Sequence, residues 1–169
     1  MDLLPQLFTE KYWLRRPIAP DRDALFRIYG DREVMRYSSD PVFPDVETVS
    51  ELMGSMGEQL ALGRAYEWVI ICRVSGELIG TCSVHHPVDE RAEVGFLLRR
   101  DRWGTGVMQD VLPLLLEFAR EELGKTEAWA LVDPENVRCR RLLERFGFVQ
   151  GMDGIYRIGL FSDSPSPRK

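Results

Sequence analysis

The stretch that most constrains what this chain can fold into is residues 93–108. Glu93-Val94-Gly95-Phe96-Leu97-Leu98 is an apolar run of strand length, and it empties into Arg102-Trp103-Gly104-Thr105-Gly106 and then into helical periodicity. The first N–H groups of a helix have no partner inside it and sit at the positive end of its dipole. A loop of low bulk ahead of them is therefore able to receive a phosphate. Gly104 and Gly106 supply the low bulk. An ordinary tight turn has the same pattern, so both readings stand at this level. Two other phosphate loops are excluded. No Gly-Lys-Ser/Thr closes the loop as a Walker loop requires, and Gln109 stands where a dinucleotide fingerprint needs its third glycine.

The 169 residues fit a single domain over residues 1–161, with a tail at 162–169 whose prolines and serines predict disorder. A formal net charge of −5 argues against nucleic acid as a partner, which needs a surplus of Lys and Arg. No window approaches the ~18 consecutive apolar residues of a membrane span. Cys72, Cys82 and Cys139 have no metal-ligand spacing, and their odd number fits free thiols in a reducing compartment. The opening Met1-Asp2-Leu3-Leu4-Pro5 lacks a basic leader, so the expectation is a cytoplasmic protein, monomeric or homodimeric, with no membrane partner.

Periodicity and caps lay out the remaining elements. Residues 12–18 form an opening strand, and Asp21 caps a short helix over 23–29. Residues 37–44 have loop composition; Asp45 opens a second helix to about Leu62, closed by Gly63. Strands follow at 68–72 and 78–85 around a Ser75-Gly76 turn, and residues 85–90 are a short connection into a central strand at 91–98. A helix over 106–123 carries Pro113, which predicts a kink. A strand over 127–132 then runs parallel to the central one, because a helix intervenes. Asn136 caps a helix over 137–146 with Gly147 as its C-cap, and a hairpin of 148–150 and 156–161 closes the domain.

This order of elements resembles the GNAT superfamily of acyl-CoA-dependent N-acyltransferases, and within it the RimJ/RimL-type branch. The resemblance is carried by Leu14-Arg15-Arg16-Pro17 with Asp21, Gly76-Glu77-Leu78-Ile79-Gly80, Ala92-Glu93-Val94-Gly95-Phe96, Trp103-Gly104-Thr105-Gly106, Asn136-Val137-Arg138-Cys139 and Leu142-Leu143-Glu144-Arg145-Phe146-Gly147-Phe148. It implies an α/β (α+β) GNAT fold: a mixed, mostly antiparallel sheet with a V-shaped splay, flanked by helices. It also implies acetyl-CoA as cosubstrate and transfer to an amine, a protein N-terminus first; the alternatives are a small amine such as a polyamine or aminoglycoside, or a non-catalytic acetyl-CoA-binding regulatory module. By the family pattern, backbone groups of Phe96, Leu97 and Leu98 would meet pantetheine. Arg102, Trp103, Gly104, Thr105, Gly106, Val107, Met108 and Gln109 would line the pyrophosphate site, and Asn136 would contact the cofactor. Two positions depart from the pattern: Asp101 replaces a Gln or Arg three residues before the first loop glycine, and Cys139 replaces a Ser. Arg100 and Arg102 flank Asp101 and would offset its charge.

Acetyl transfer to an amine needs a group to take the amine's proton and one to meet the leaving thiolate. The resemblance places Glu93 as the base; the alternative is a solvated glutamate paired with Arg91 or Arg99. Cys139 would be the donor to the thiolate, its proton affinity lowered by the helix start and by Arg138, Arg140 and Arg141. Its spacing with Leu142, Leu143 and Phe146 equally suits a core position. Leu143 stands where other branches carry an acid Tyr, which leaves Tyr156 as a remote substitute or a core residue. Tyr37 and His85 would line the acceptor site, among loops that Asp40, Asp45, Glu47, Asp89 and Glu90 make acidic. His85 and His86, as strand neighbours, should point to opposite faces and form no metal pair.

Overall fold

The structure is a computed structural model that describes residues 3–161. Among the described residues eight strands form one sheet. They are β1 (Leu7–Phe8), β2 (Tyr12–Arg15), β3 (Ala65–Cys72), β4 (Leu78–Val88), β5 (Arg91–Leu98), β6 (Glu127–Ala130), β7 (Val149–Gln150) and β8 (Tyr156–Gly159). Five helices flank them: α1 (Arg22–Tyr29), α2 (Arg32–Met35), α3 (Val46–Ala61), α4 (Val107–Glu121) and α5 (Val137–Phe146). The order across the sheet is β1-β2-β3-β4-β5-β6-β8-β7, with β5 and β6 parallel and every other pair antiparallel. α4 carries the chain from the end of β5 back across the sheet, so that β6 runs alongside β5 in the same direction, while the short links β1–β2, β3–β4, β4–β5 and β7–β8 reverse the chain.

Alternation along the strands divides the apolar side chains between two cores. Trp68, Ile70, Val84, Ala92 and Val94 face Val111, Leu115, Phe118 and Leu143 from α4 and α5. Val69, Ile71 and Leu78 face Leu25, Ile28 and Val49 from α1 and α3. Helix ends are set locally. Asp45 accepts from the Thr48 N–H at 2.9 Å and Asn136 from the Cys139 N–H at 3.2 Å, while Gly147, at φ 93°, closes α5. Asp21 is buried and doubly paired with Arg15 at 2.7 and 2.9 Å, which ties the start of α1 to β2.

Several bounds differ from expectation. The hairpin of β1 with β2 and the single-turn α2 carry too few residues to show a period. Helix α4, expected over 106–123, is bounded by Val107 and Glu121 and holds Pro113 in its interior as expected. Residues 85–88, expected as a connection, continue β4, with a register break between His85 and Val88 and a left-handed φ of 47° at His86. The expected tail at 162–169 lies outside the described residues. Among the described residues no helix is long and apolar enough to cross a membrane, and Cys72, Cys82 and Cys139 are unbridged.

The feature that positions a site is where β5 leaves β6. Their ladder pairs only Arg91, Ala92 and Glu93 with Glu127, Ala128 and Trp129, while β5 runs on to Leu98 beside β4. The alternating burial of β5 stops at the same point: Gly95, Phe96, Leu97 and Leu98 are all half-buried. The β4 side of this segment is close-packed at Gly80, where a Cβ would meet the Leu97 carbonyl oxygen and Leu98 Cδ2 at 2.7 Å each. Gly80→Ala should therefore lower stability by about 1–3 kcal/mol, read as a lower urea midpoint at unchanged m-value.

Candidate active site

The loop after β5 offers backbone, not side chains. A short 3-10 turn, Arg100–Arg102, leads into Gly104 at φ 70° and Gly106 at φ 86°, a region that L-residues rarely enter. A Cβ on Gly104 would meet nothing within 4 Å, and Gly106 gives the start of α4 no side-chain cap. The first N–H groups of the helix, at Val107, Met108 and Gln109, are thus left for a ligand, while the Val107 and Met108 side chains sit in the core. Thr105 is tied back by its hydroxyl, which donates to the Arg102 carbonyl at 2.7 Å. These groups fit a diphosphate.

The acid in the loop is neutralised from an unexpected side. Asp101 is held by Arg99, at 2.6 and 2.9 Å, rather than by Arg100 or Arg102. Its carboxyl is held below the usual range chiefly by that hydrogen bond. Arg99 also reaches Glu77 at 3.4 Å, and Arg102 reaches Glu77 at 3.3 Å. Arg100 turns away to Asp31 at 2.9 Å. Trp103 donates its indole N–H to the Leu98 carbonyl at 3.0 Å, and the Arg138 guanidinium lies over its ring at 3.9 Å. The Leu98 carbonyl is consequently taken, whereas the rest of the β5 edge past Glu93 has no strand beside it. On the facing wall Leu131, just beyond β6, is 68% exposed. The gap suits a thin, partly apolar chain that hydrogen-bonds along a strand edge.

Glu93 stands where the two strands part. Neither Arg91 nor Arg99 pairs with it; His86 Nδ1 lies 2.8 Å from Glu93 Oε2 and His85 Nε2 lies at 3.9 Å. The carboxylate is 16% exposed. Cross-strand register places Ser83, His85, Glu93 and Gly95 on one face, with Glu67 opposite Ser83. A Cβ on Gly95 would lie 3.1 Å from Ser83 Oγ and 3.3 Å from His85 Nε2, so the glycine keeps this face open. Burial, opposed by Glu93, holds His85 below the ordinary histidine range. Burial also raises the Glu67 carboxyl, and Asp40 adds to the shift. Glu67 was missed because the sequence shows it just outside the apolar run that marks the strand. Its signal is a charge on the face that Ser83 shares. Tyr37, in the loop after α2, has the Arg36 guanidinium 5.2 Å over its ring and is not joined to His85 by any hydrogen bond or ring contact.

Cys139 and Tyr156 depart from what the helix-start argument predicts. Burial pushes the Cys139 thiol up to about 11, so desolvation outweighs the helix terminus and the nearby arginines. Asn136 spends its Oδ1 on capping α5 through the Cys139 N–H. Tyr156 is a core residue: its hydroxyl accepts from Arg140 Nε at 3.0 Å and donates to Glu144 at 3.4 Å.

Comparison with known proteins agrees with this geometry. The model of the acetyltransferase (GNAT) domain matches residues 11–149. The chain is 31% identical to the uncharacterized N-acetyltransferase p20 of Bacillus licheniformis over 153 residues, 89% of this chain and 85% of that one. With YoaA of Bacillus subtilis, another uncharacterized N-acetyltransferase, it shares 27% over 163 residues, 95% and 91% of the two chains. In structure it is similar to RimL, a ribosomal-protein α-N-acetyltransferase solved with coenzyme A, at TM-score 0.79 and 16% identity over 92% and 98% of the two chains. It is equally similar to spermidine N-acetyltransferase from Vibrio cholerae, solved with coenzyme A and spermine, at 0.77 and 17% over 90% and 97%. The chain therefore belongs to the GNAT family, enzymes that take an acetyl group from acetyl-CoA and pass it to an amine.

Proposed function

We propose that this enzyme acetylates the primary amine of a protein N-terminus by direct transfer, with Glu93 as the base that takes the amine's proton. The observation that carries the reading is the placement of Glu93: a half-buried carboxylate at the fork of β5 and β6, oriented by His86 at 2.8 Å. The bare N–H groups of Val107, Met108 and Gln109 hold the diphosphate behind Gly104 and Gly106. The free edge of Phe96 and Leu97 guides the pantetheine toward Glu93. Arg102, Trp103 and Asn136 border this channel. Cys139 enters as an S–H hydrogen-bond donor to the departing thiolate rather than as an acid, because a thiol held at about 11 keeps its proton.

The acceptor face is acidic, through Glu67, Glu93 and Asp40, and this suits a cationic amine. The likeness to RimL supports an N-terminal amine among such acceptors. A second reading is favoured by Glu67 itself: a second carboxylate on the face of Glu93 matches an acceptor with a second cation, such as a polyamine, and spermidine N-acetyltransferase shares the fold. Incubation with acetyl-CoA and a panel of peptides, polyamines and aminoglycosides, read by thiol release and intact mass, separates these. Transfer to peptide N-termini is the expected result. Transfer to spermidine alone selects the second reading, and coenzyme A binding with no transfer to any amine refutes both.

Glu93→Gln should lower turnover by roughly 10²–10⁴-fold with coenzyme A affinity retained, measured by thiol release and by calorimetry; unchanged turnover would remove Glu93 from the chemistry. The thiols should label in a fixed order. Cys72, lowered from the ordinary range by hydrogen bonds from Ser75, carries more thiolate at pH 7.5 than Cys139, which burial raises. Iodoacetamide on the native protein should modify Cys72 first and leave Cys139 and the fully buried Cys82 intact, read by peptide mass analysis.

A further inference from the structure

The side chains of His85, His86 and Glu93 converge although strand alternation would send the two histidines apart. The left-handed backbone at His86 and the register break after His85 turn both rings to one side, with centroids 4.9 Å apart and planes 22° from parallel. Each of the three offers one ligand atom, and these atoms all lie within 4.8 Å of one another. His85 Nε2 supplies an independent observation: it is buried and makes no hydrogen bond, and the nearest anion, Glu93 Oε2, stands off at 3.9 Å. An orphaned ring nitrogen beside a carboxylate and a second imidazole is a donor set without an occupant of its own.

We propose that His85, His86 and Glu93 form a binding site for a divalent transition-metal ion of the zinc class. The proposal adds that the ion and the acceptor amine exclude each other. The donor set is two imidazole nitrogens and one carboxylate oxygen, which selects zinc, cobalt, nickel or copper over magnesium and calcium, whose shells are built of oxygen. Tetrahedral coordination at bond lengths of about 2.0–2.1 Å sets neighbouring ligand atoms roughly 3.3–3.5 Å apart. The separations of 2.8 Å from His86 and 3.9 Å from His85 to the same carboxylate oxygen bracket that value. The His86 contact opens and the His85 contact closes by about half an ångström, and the two imidazole nitrogens, within 4.8 Å of each other, draw together by rotation of the exposed His86 ring. His86 is 67% exposed and provides the entry path, and the fourth position stays open to water. The ion takes the place of the hydrogen bond between His86 Nδ1 and Glu93, and the single N–H of the neutral imidazole then resides on Nε2, which faces away from the ion. The exclusion half rests on the reading of Glu93 as base, since a carboxylate bound to a dication accepts no proton from an amine; the binding half does not.

Titration of the purified protein with Co²⁺, followed by visible absorption, and with Zn²⁺, followed by calorimetry, tests the site without any assay of activity. One ion per chain with micromolar affinity is expected, with no response to Mg²⁺. His85→Ala and His86→Ala should each weaken it at least 10-fold, and the paired substitution at least 100-fold, in variants whose circular dichroism and melting match the wild type. Unchanged Zn²⁺ affinity in the paired variant, or a sulfur-to-cobalt charge-transfer band that assigns the ion to a cysteine, would overturn the site. Zn²⁺ should also inhibit acetyl transfer reversibly, with activity restored by EDTA and with competition against the amine rather than against acetyl-CoA. Full activity with the ion bound would overturn the exclusion and leave the site. Ion binding by a protein that transfers acetyl to no amine would leave the site and remove the proposed function.

Discussion

The separation of β5 from β6 after Glu93 is the constraint on which the site depends. A buried strand edge without a partner leaves N–H and C=O groups unpaired, and such groups are stable only where something else will meet them. Here the separation has a local cause. The β5–β6 ladder stops at the pair Glu93–Trp129, one residue short of the end of β6 at Ala130, and Asp133-Pro134 then turns the chain into α5, so nothing from β6 is left to lie beside β5 from Gly95 onward. β5 cannot follow, because β4 pairs it from Glu93 to Leu98 and packs tightly at Gly80. Since β5 and β6 are parallel and each is followed by a helix, α4 and α5 begin on the same side of the fork. The gap thus opens between two helix starts, one of them uncapped by any side chain.

Charge is divided across that fork. On the side of the glycine loop, Asp101 and Glu77 are absorbed by Arg99 and Arg102, while Arg138 lies over Trp103. On the face shared by Ser83 and Gly95, Glu67 and Glu93 have no arginine partner, and burial raises the Glu67 carboxyl. This division matches the proposed function, in which an anionic cofactor meets the loop side and a cationic amine the side of Glu93, the carboxylate that His86 reaches at 2.8 Å.

Elements defined by short-range rules were legible in the sequence. Asp45, Asn136 and Gly147 mark helix ends through caps that need only their own turn. The glycine loop announces itself because positive φ at Gly104 and Gly106 is a demand of the backbone. What stayed hidden were outcomes of competition between effects. At Cys139 the helix start and burial push the thiol in opposite directions, and a sequence states the first without the depth that decides for the second. At Asp101 the flanking arginines look like its partners, but the tight turn over Arg100–Arg102 folds the carboxylate back on Arg99. Glu93 shows the same limit: two nearby arginines are visible in the chain, whereas its real partner arrives from another strand.

That partner arrives through a backbone state that strand alternation cannot anticipate. A non-glycine residue in the left-handed region costs about 1–2 kcal/mol, and it persists only where its surroundings hold it. His86 donates its N–H to the Arg64 carbonyl at 3.1 Å, which pins the turning point to the end of α3 and the start of β3. Beyond it, the Asp89 carbonyl accepts from Lys125 Nζ at 2.7 Å and the Glu90 carbonyl from the Thr126 N–H at 2.9 Å, which locks the far arm against the strand entering the fork. Glycine at position 86 would adopt the same backbone with less strain and would leave Glu93 without its imidazole. The fold thus holds a strained residue at the one position where its ring reaches the carboxylate, and the strain belongs to the site rather than to the sheet.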